Sequence, residues 1–415
     1  MSQSLDVFVA DQLVGVLQER VDTGLVDFEY RTGTPAQWAA SLLMPPEAPP
    51  EDYRDFNGLP PPFEVSLPEG MLLEAIRSRF GKLIDVSSDF DLLRLVGRHT
   101  IGRVTFGGPL ERADALDEQI LAAARSEHSA TRLAEILRAE PQMFGLSGVM
   151  PKMSAYEPHA LRPGTLHSRG LIVKFDSPNY PGASLVEYAC LRACAAVDLV
   201  VPIAELSPDR ASLTIERFDV DDRGGRLGFE DACALSGIRR AGKYNGSIQH
   251  LFDMIGNFVH PDDQPGDRLD LLKLVIMNDV LRNGDAHLKN FGLLYSDVER
   301  PRLAPVYDVL TTQVWIHGDT PAMAMRKGGG PGTWFDHTVD LQSLAEMAQL
   351  PAHQIADLYD HCADKALQSL QQTLAEQPTN KVRSALERAV DIVASHVGGM
   401  GASQRPPNKR PTPTP

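Results

Sequence analysis

Cysteine is scarce. Four residues, Cys190, Cys194, Cys233 and Cys362, stand in a chain of 415, too few for a disulfide framework. The first pair, spaced C-x3-C, falls on a predicted helix with no His or further Cys beside it, so these thiols are expected in the core rather than around a metal. Long apolar runs are also lacking. No stretch reaches the ~18 residues that a membrane-spanning helix needs. The opening residues, MSQSLDVFVADQ, have no basic segment followed by an apolar one, as a secretory signal would. Positive charge is in deficit: Lys and Arg number 40 against 55 Asp and Glu, a formal net charge of −15. Bulk electrostatics therefore exclude a chain that coats nucleic acid by itself, though not one with a DNA-binding partner. The expectation is a cytoplasmic, reduced, soluble protein without membrane contact, long enough for two or three units.

Residues 5–32 alternate apolar and polar in two runs, which predicts a β-hairpin or small meander. Seven prolines between Pro45 and Pro62 then exclude long elements. MLLEAIRSRF and DFDLLRLVGRH read as helices and IGRVTF as a strand, closing a first unit over residues 1–108. A second unit, 109–225, opens with two amphipathic helices, one over about 112–125 and one from near Ser129. It continues with the loop GLSGVMPKMSAY, the buried strand LIVKFDS, the helix LVEYACLRACAAV, and the strands VPIAELS and SLTIERFDV. A third unit, 226–397, is mainly helical. GFEDACALSG, SIQHLFDMIGNFV and LDLLKLVIMNDVLR read as helices, the loop NGDAHLKNFG interrupts them, GLLYS and LAPVYDV read as strands, and helices return from about 340. The tail over 398–415, rich in Gly and Pro, is expected to be disordered.

The densest chemistry lies in Asn283-Gly-Asp285-Ala-His287-Leu-Lys289-Asn290, followed by Asp308 eighteen residues past Asn290, on an expected strand end. Phosphoryl transfer needs this set: one carboxylate beside the attacking hydroxyl, and an amide and a second carboxylate to hold Mg²⁺ against a triphosphate. The apolar helix before the loop would anchor it. Asn, Gly and Asp are also ordinary turn residues, and His287 has no second His or Cys at ligand spacing. Lys174, centred in an apolar strand, must put its ammonium on something charged or face water from a sheet edge. Glu187 could pair with it, or could close a capping box with Ser184. Gly145-Leu-Ser147-Gly148-Val-Met-Pro151-Lys152 could present backbone N–H groups to phosphates or form a plain turn; it is not a Walker A loop. Glu216-Arg217-Phe218-Asp219 ends a β-run where a hinge could lie.

In this order and at these intervals, the pieces resemble the HipA family of serine/threonine kinase toxins of bacterial type II toxin–antitoxin systems. The loop is similar to the family's N-x-D-x-H-x-K-N, GLSGVMPK to its S-x-S-G-x-Q-x-K loop, ERFD to its hinge, PVYD to its metal-binding segment, GKYNGS to a K-Y element, and the first hundred residues, with FEVSLPEG, to its N-terminal subdomain. The chain departs from that pattern at Gly145, where the family has its first loop serine, and at Met150, where it has Gln. The resemblance implies an α+β, bilobal protein-kinase-like fold with a β-rich N-terminal subdomain and a mainly helical C-terminal lobe. It implies ATP and Mg²⁺ as cofactors, Asp285 as catalytic base, Asn290 and Asp308 as metal ligands, and Lys174 on the ATP phosphates. Ser147, Gly148, Lys152, Glu216, Phe218, Asp219, His287 and Lys289 would surround the nucleotide, Glu216 and Phe218 through their backbone, and Ser147 would be an autophosphorylation site. It implies an aminoacyl-tRNA synthetase as substrate, with arrest of translation and growth, and a HipB-like helix-turn-helix antitoxin through which DNA is reached. A sugar- or aminoglycoside-type kinase, or an inactive kinase-fold binding protein, are the alternatives.

Overall fold

Alternation over the first thirty residues builds an antiparallel meander of β1 (Ser2–Val9), β2 (Gln12–Arg20) and β3 (Leu25–Tyr30). Val7, Val9, Leu17, Val26 and Phe28 are all buried on one side. Val9 pairs with Gln12 across a two-residue turn in which Ala10 and Asp11 both have positive φ, the backbone that matches the twist of the flanking strands. β4 (Phe56–Asn57) and β5 (Val104–Phe106) complete a five-stranded sheet in the order β4-β3-β2-β1-β5. Pro50, Pro61 and Pro62 sit in 3-10 turns at 50–53 and 61–64. Helices α1 (Gly70–Phe80) and α2 (Asp89–Val96) follow, the latter capped by Ser88, whose Oγ accepts from Asp91 N at 3.2 Å. The computed structural model describes residues 2–403 except Val21, Glu111, Arg112, Ser147, Val149, Pro163, Gly164, Pro331, 336–339 and 379–381. Ser147 and the end of the expected disordered tail thus lie outside the described residues.

After α3 (Asp114–Ala124) and α4 (Ser129–Ala139), the chain forms β6 (Lys152–Arg162), β7 (Thr165–Phe175), α5 (Ala183–Ala195), β8 (Ala204–Leu206) and β9 (Ser212–Glu216). The sheet is antiparallel in the order β6-β7-β9-β8. Met153, Ala155, Leu171, Val173 and Phe175 are buried in the same core as the N-terminal sheet, beneath α3 and α4. β6 differs from the expected loop. Its glycine and proline signals belong to the residues before it, and its own Pro158 is tolerated because β6 is an edge strand.

The remaining elements are β10 (Gly228–Asp231), α6 (Ala232–Leu235), α7 (Ile248–Phe258), α8 (Gln264–Val280), β11 (Gly292–Tyr295), β12 (Arg302–Leu303), α9 (Asp340–Ala348), α10 (Ala352–Glu376) and α11 (Arg383–Ser403). Three corrections apply here. Residues 228–231, expected as helix, are a strand because they pair with β11, an interaction that local helical periodicity does not reveal. LAPVYDV, expected as a strand, leaves the sheet after Leu303, and Asp308 stands on a loop with φ 52°. The last helix reaches Ser403, past the Val397 at which the helical unit was expected to end. A second core gathers α5, β9 and the helices of this region, with all four cysteines free and buried. Among the described residues, no helix is long and apolar enough to cross a membrane.

Candidate active site

The two cores meet at a pair of clefts, and strand alternation decides which side chains face them. Because Leu171, Val173 and Phe175 are buried on one side of β7, Ile172 and Lys174 point to the other. Register places Lys152 of β6 directly opposite Lys174. Both lysines are buried, and both reach Asp308: Lys152 Nζ lies 3.2 Å from Oδ2, and Lys174 Nζ contacts Oδ1. Lys174 also pairs with Glu187 on α5. The capping-box alternative for Glu187 is not formed. Asp176 caps α5 instead, its carboxylate accepting from Gly182 N at 2.5 Å and Ser184 N at 2.9 Å, which leaves Glu187 for the lysine.

Two ammonium groups and two carboxylates thus share one low-dielectric spot. Burial raises the Asp308 carboxyl, but Lys152 and Lys174 outweigh it and hold the group far below the usual carboxylate range. Burial alone would lower Lys174; Asp308 and Glu187 reverse this and raise it. Lys152, buried with one carboxylate and facing a second ammonium, is lowered. Gly148 lies against this cluster with φ 123°, and a Cβ there would stand 2.7 Å from Lys152 Nζ. The positive φ, which side chains with a Cβ rarely adopt, favours glycine here.

The polar loop after α8 is fixed from below. Asn283 donates from Nδ2 to Asn278 Oδ1 at 2.7 Å, and its Oδ1 accepts from Asp285 N at 3.3 Å. Gly284 N donates to Thr312 Oγ1 at 2.7 Å, and Thr312 in turn bonds Asp319. Asp285 is part-buried; burial raises its carboxyl above the ordinary range, opposed by a hydrogen bond from Tyr244 Oη to Oδ1 at 2.7 Å. Asn290 is buried with Oδ1 accepting from His287 N at 3.2 Å. Burial and then Lys243 lower His287 to about 4, so it is neutral at pH 7.

An inner cleft of about 820 Å³ is lined by Lys152, Lys174, Ile172, Ile215 and Glu216 to Asp219, the segment where a hinge was expected. Phe218, Phe229 and Tyr307 form an aromatic wall with ring centroids 5.4 to 5.8 Å apart. An outer cleft of about 1300 Å³ holds Asp285, Asn290, Glu187 and Tyr244. Gly148, Lys152, His287 and Asp308 line both. The inner cleft could take a flat heterocycle with a polyanionic tail, and the Asp308–Asn290 side could take a hard cation.

Not every expected side chain faces these clefts freely. Glu216 N donates to Ile203 O at 2.8 Å and Arg217 N to Gly170 O at 2.9 Å, so Glu216 could offer a base only its carbonyl. Asp219 is taken by Arg217 and by Gly102 N at 2.7 Å. Lys289 Nζ donates to Val65 O at 3.1 Å and lies 3.8 Å from Asp231. Conversely, Val65, Glu69 and Ile101 of the N-terminal unit wall the inner cleft, and Glu69 pairs with Lys243 at 2.8 Å. FEVSLPEG, which holds Val65 and Glu69, was singled out only as part of the N-terminal subdomain, and no local pattern ties it or Ile101 to the loop some two hundred residues on.

This fold and these clefts define a bilobal, kinase-like architecture with a β-rich N-terminal subdomain and a mainly helical C-terminal lobe. Residues 5–107 match the HipA N-terminal domain and residues 144–375 the HipA-like C-terminal domain, and the chain belongs to the HipA family of toxin kinases. Its fold resembles that of HipA from Shewanella oneidensis MR-1, solved with HipB and operator DNA, with a TM-score of 0.70 over 96% of this chain and 97% of that one at 17% identity. Two Sinorhizobium fredii proteins designated kinase candidates are also similar. Y4dM is 30% identical over 65% of this chain and 66% of its own length, and Y4mE is 30% identical over 69% and 71%. The chain thus spans about two thirds of these relatives' length.

Proposed function

We propose that this chain is the toxin of a toxin–antitoxin pair, a serine/threonine protein kinase that moves the γ-phosphate of ATP onto a protein hydroxyl. The observation that carries this reading is the convergence of Lys174 from β7, Glu187 from α5 and Asp308 from the loop after β12 beside Asp285 and Asn290. The residues fit Mg²⁺ and ATP: a buried ammonium pair for phosphates, an amide and a carboxylate for a hard cation, a glycine cradle that a Cβ would fill, and an apolar wall for a base. Bound Mg·ATP supplies an activated phosphoryl group. Glu187 holds Lys174 in place for the phosphates, with Lys152 beside it. Glu216 and Phe218 meet the base through their backbone, Asn290 and Asp308 hold the metal, and Asp285 takes the proton of the acceptor hydroxyl. His287, being neutral, lines the site without adding charge.

The substrate we propose is an aminoacyl-tRNA synthetase, on the family resemblance of the loop and hinge. The partner is a HipB-like helix-turn-helix antitoxin, supported by the Shewanella complex. DNA is reached through that partner, in keeping with a net charge of −15. The test is incubation of wild type and Asp285→Asn with radiolabelled ATP, Mg²⁺ and a panel of purified synthetases. Label on one synthetase with wild type only is the expected result. No label on any panel or lysate protein overturns the kinase reading, and label on an aminoglycoside or sugar instead replaces the substrate class.

A further inference from the structure

A general base must lie within about 2.6–3.2 Å of the hydroxyl whose proton it takes. In this protein a hydroxyl already stands there. Tyr244 Oη donates to Asp285 Oδ1 at 2.7 Å. Among the described residues, Asp285 is the one hydrogen-bond partner of that phenol. The ring is not locked in a core. Tyr244 is 47% exposed, on the outer-cleft side, held by an edge-on contact with His287 at 5.1 Å and by Lys243, whose Nζ lies 5.3 Å from its centroid. Across the same cleft Ile316 is 44% exposed, beside Trp315 and Leu310.

We infer that Tyr244 occupies the seat of the acceptor hydroxyl on Asp285 and acts as a built-in competitor that an incoming substrate must displace. The inference rests on the kinase reading above and specifies the acceptor side of that site. A phenol tethered beside the base outcompetes a free water for one carboxylate oxygen, because its translational entropy is already lost. Water therefore meets a base whose Oδ1 is already taken, which slows idle hydrolysis of nucleotide. A protein substrate can spend contacts with the exposed apolar wall around Ile316 on moving the phenol aside. The half-exposed ring has room to turn toward solvent, which a buried one would not.

The test compares wild type with Tyr244→Phe and Tyr244→Leu, using ATP hydrolysis without acceptor and phosphate transfer to casein as a generic protein acceptor. Thermal melting confirms that both variants are folded. Removal of one hydrogen bond to a charged group is expected to raise acceptor-free hydrolysis about tenfold in both variants. The KM for casein is expected to fall, with kcat not reduced. Unchanged or slower hydrolysis in both variants overturns the inference. So does a fall in kcat at constant KM, which would make the phenol an aid to the base rather than its competitor. If wild type labels neither casein nor any lysate protein, the kinase reading itself fails. Transfer by wild type that neither variant alters defeats this inference and leaves that reading standing.

Discussion

Lys152 and Lys174 stand opposite one another across the β6–β7 pair, and both ammonium groups converge on the Asp308 carboxylate. Two buried like charges are tolerable only because two carboxylates answer them. Asp308→Ala leaves Lys152 without its ion-pair partner and Lys174 with Glu187 alone. Mg²⁺-dependent ATP affinity is expected to fall at least tenfold in Asp308→Ala, and also in Asn290→Ala, since Mg²⁺ tolerates poor geometry badly. Isothermal calorimetry at matched Mg²⁺ checks this; unchanged binding in both variants would remove the metal role from these residues.

Asp285→Asn keeps the shape of the loop and the contact to Tyr244 while removing the base. Phosphate transfer is expected to drop ~10²–10⁴-fold with nucleotide affinity unchanged. Expression of this variant in the host should no longer arrest growth, and arrest at the wild-type level would refute the assignment.

The pH dependence follows from the same carboxylate. Burial raises Asp285 above its ordinary value of 3.8. A base works only when deprotonated, so activity is expected to be present above the raised value and lost as pH falls through it. The acid limb of the rate profile should therefore lie above that of a free aspartate. His287, lowered to about 4, is already neutral at pH 6 to 7 and should add no limb there. A limb near 6.5 that vanishes in His287→Asn would contradict this.

Gly284 carries the loop past Asp319 with no room to spare. A Cβ at this position would stand 2.1 Å from Asp319 Oδ2, which is itself bonded to Thr312. Gly284→Ala must displace that carboxylate and shift the neighbouring Asp285. A misplacement on the order of 1 Å costs about 10²-fold in rate, so kcat is expected to fall ~10–100-fold while ATP affinity changes little. Steady-state kinetics with both substrates varied distinguishes this from a loss of nucleotide binding.

Ser147 is the proposed autophosphorylation site. A phosphate there adds about −1.5 to −2 charge to the segment that leads into β6. Intact mass spectrometry is expected to find it on wild type and not on Asp285→Asn, and Ser147→Asp should weaken ATP binding. A wild-type protein free of phosphate at Ser147 would end the proposal.

The N-terminal meander, the helices α1 to α5, and the cleft positions of Lys174, Asp285 and Asn290 were legible because their signals are local; Asp308 lines the same clefts from a loop rather than from the expected strand end. Period-2 alternation puts Lys174 on the face away from the core, and the loop carries its polar groups within eight residues. Elements that depend on distant partners were not legible. β10 exists because β11 lies beside it, and β12 ends at Leu303 although the apolar pattern runs on to Val309.

By itself the sequence determined which short segments bring charged and polar side chains close together. Tertiary structure decided how they are used. Glu187 could have capped its own helix; Asp176 took that task, and the buried ammonium of Lys174 needed a counter-charge that could not be solvated by water. Lys289, Asp219 and the Glu216 N–H looked free in one dimension, and packing gave each a partner from another element: Val65, Gly102 and Ile203. The physical reason is the same in each case. A buried polar group must be satisfied by whatever lies within about 3 Å in space, and separation along the chain carries no information about that neighbour.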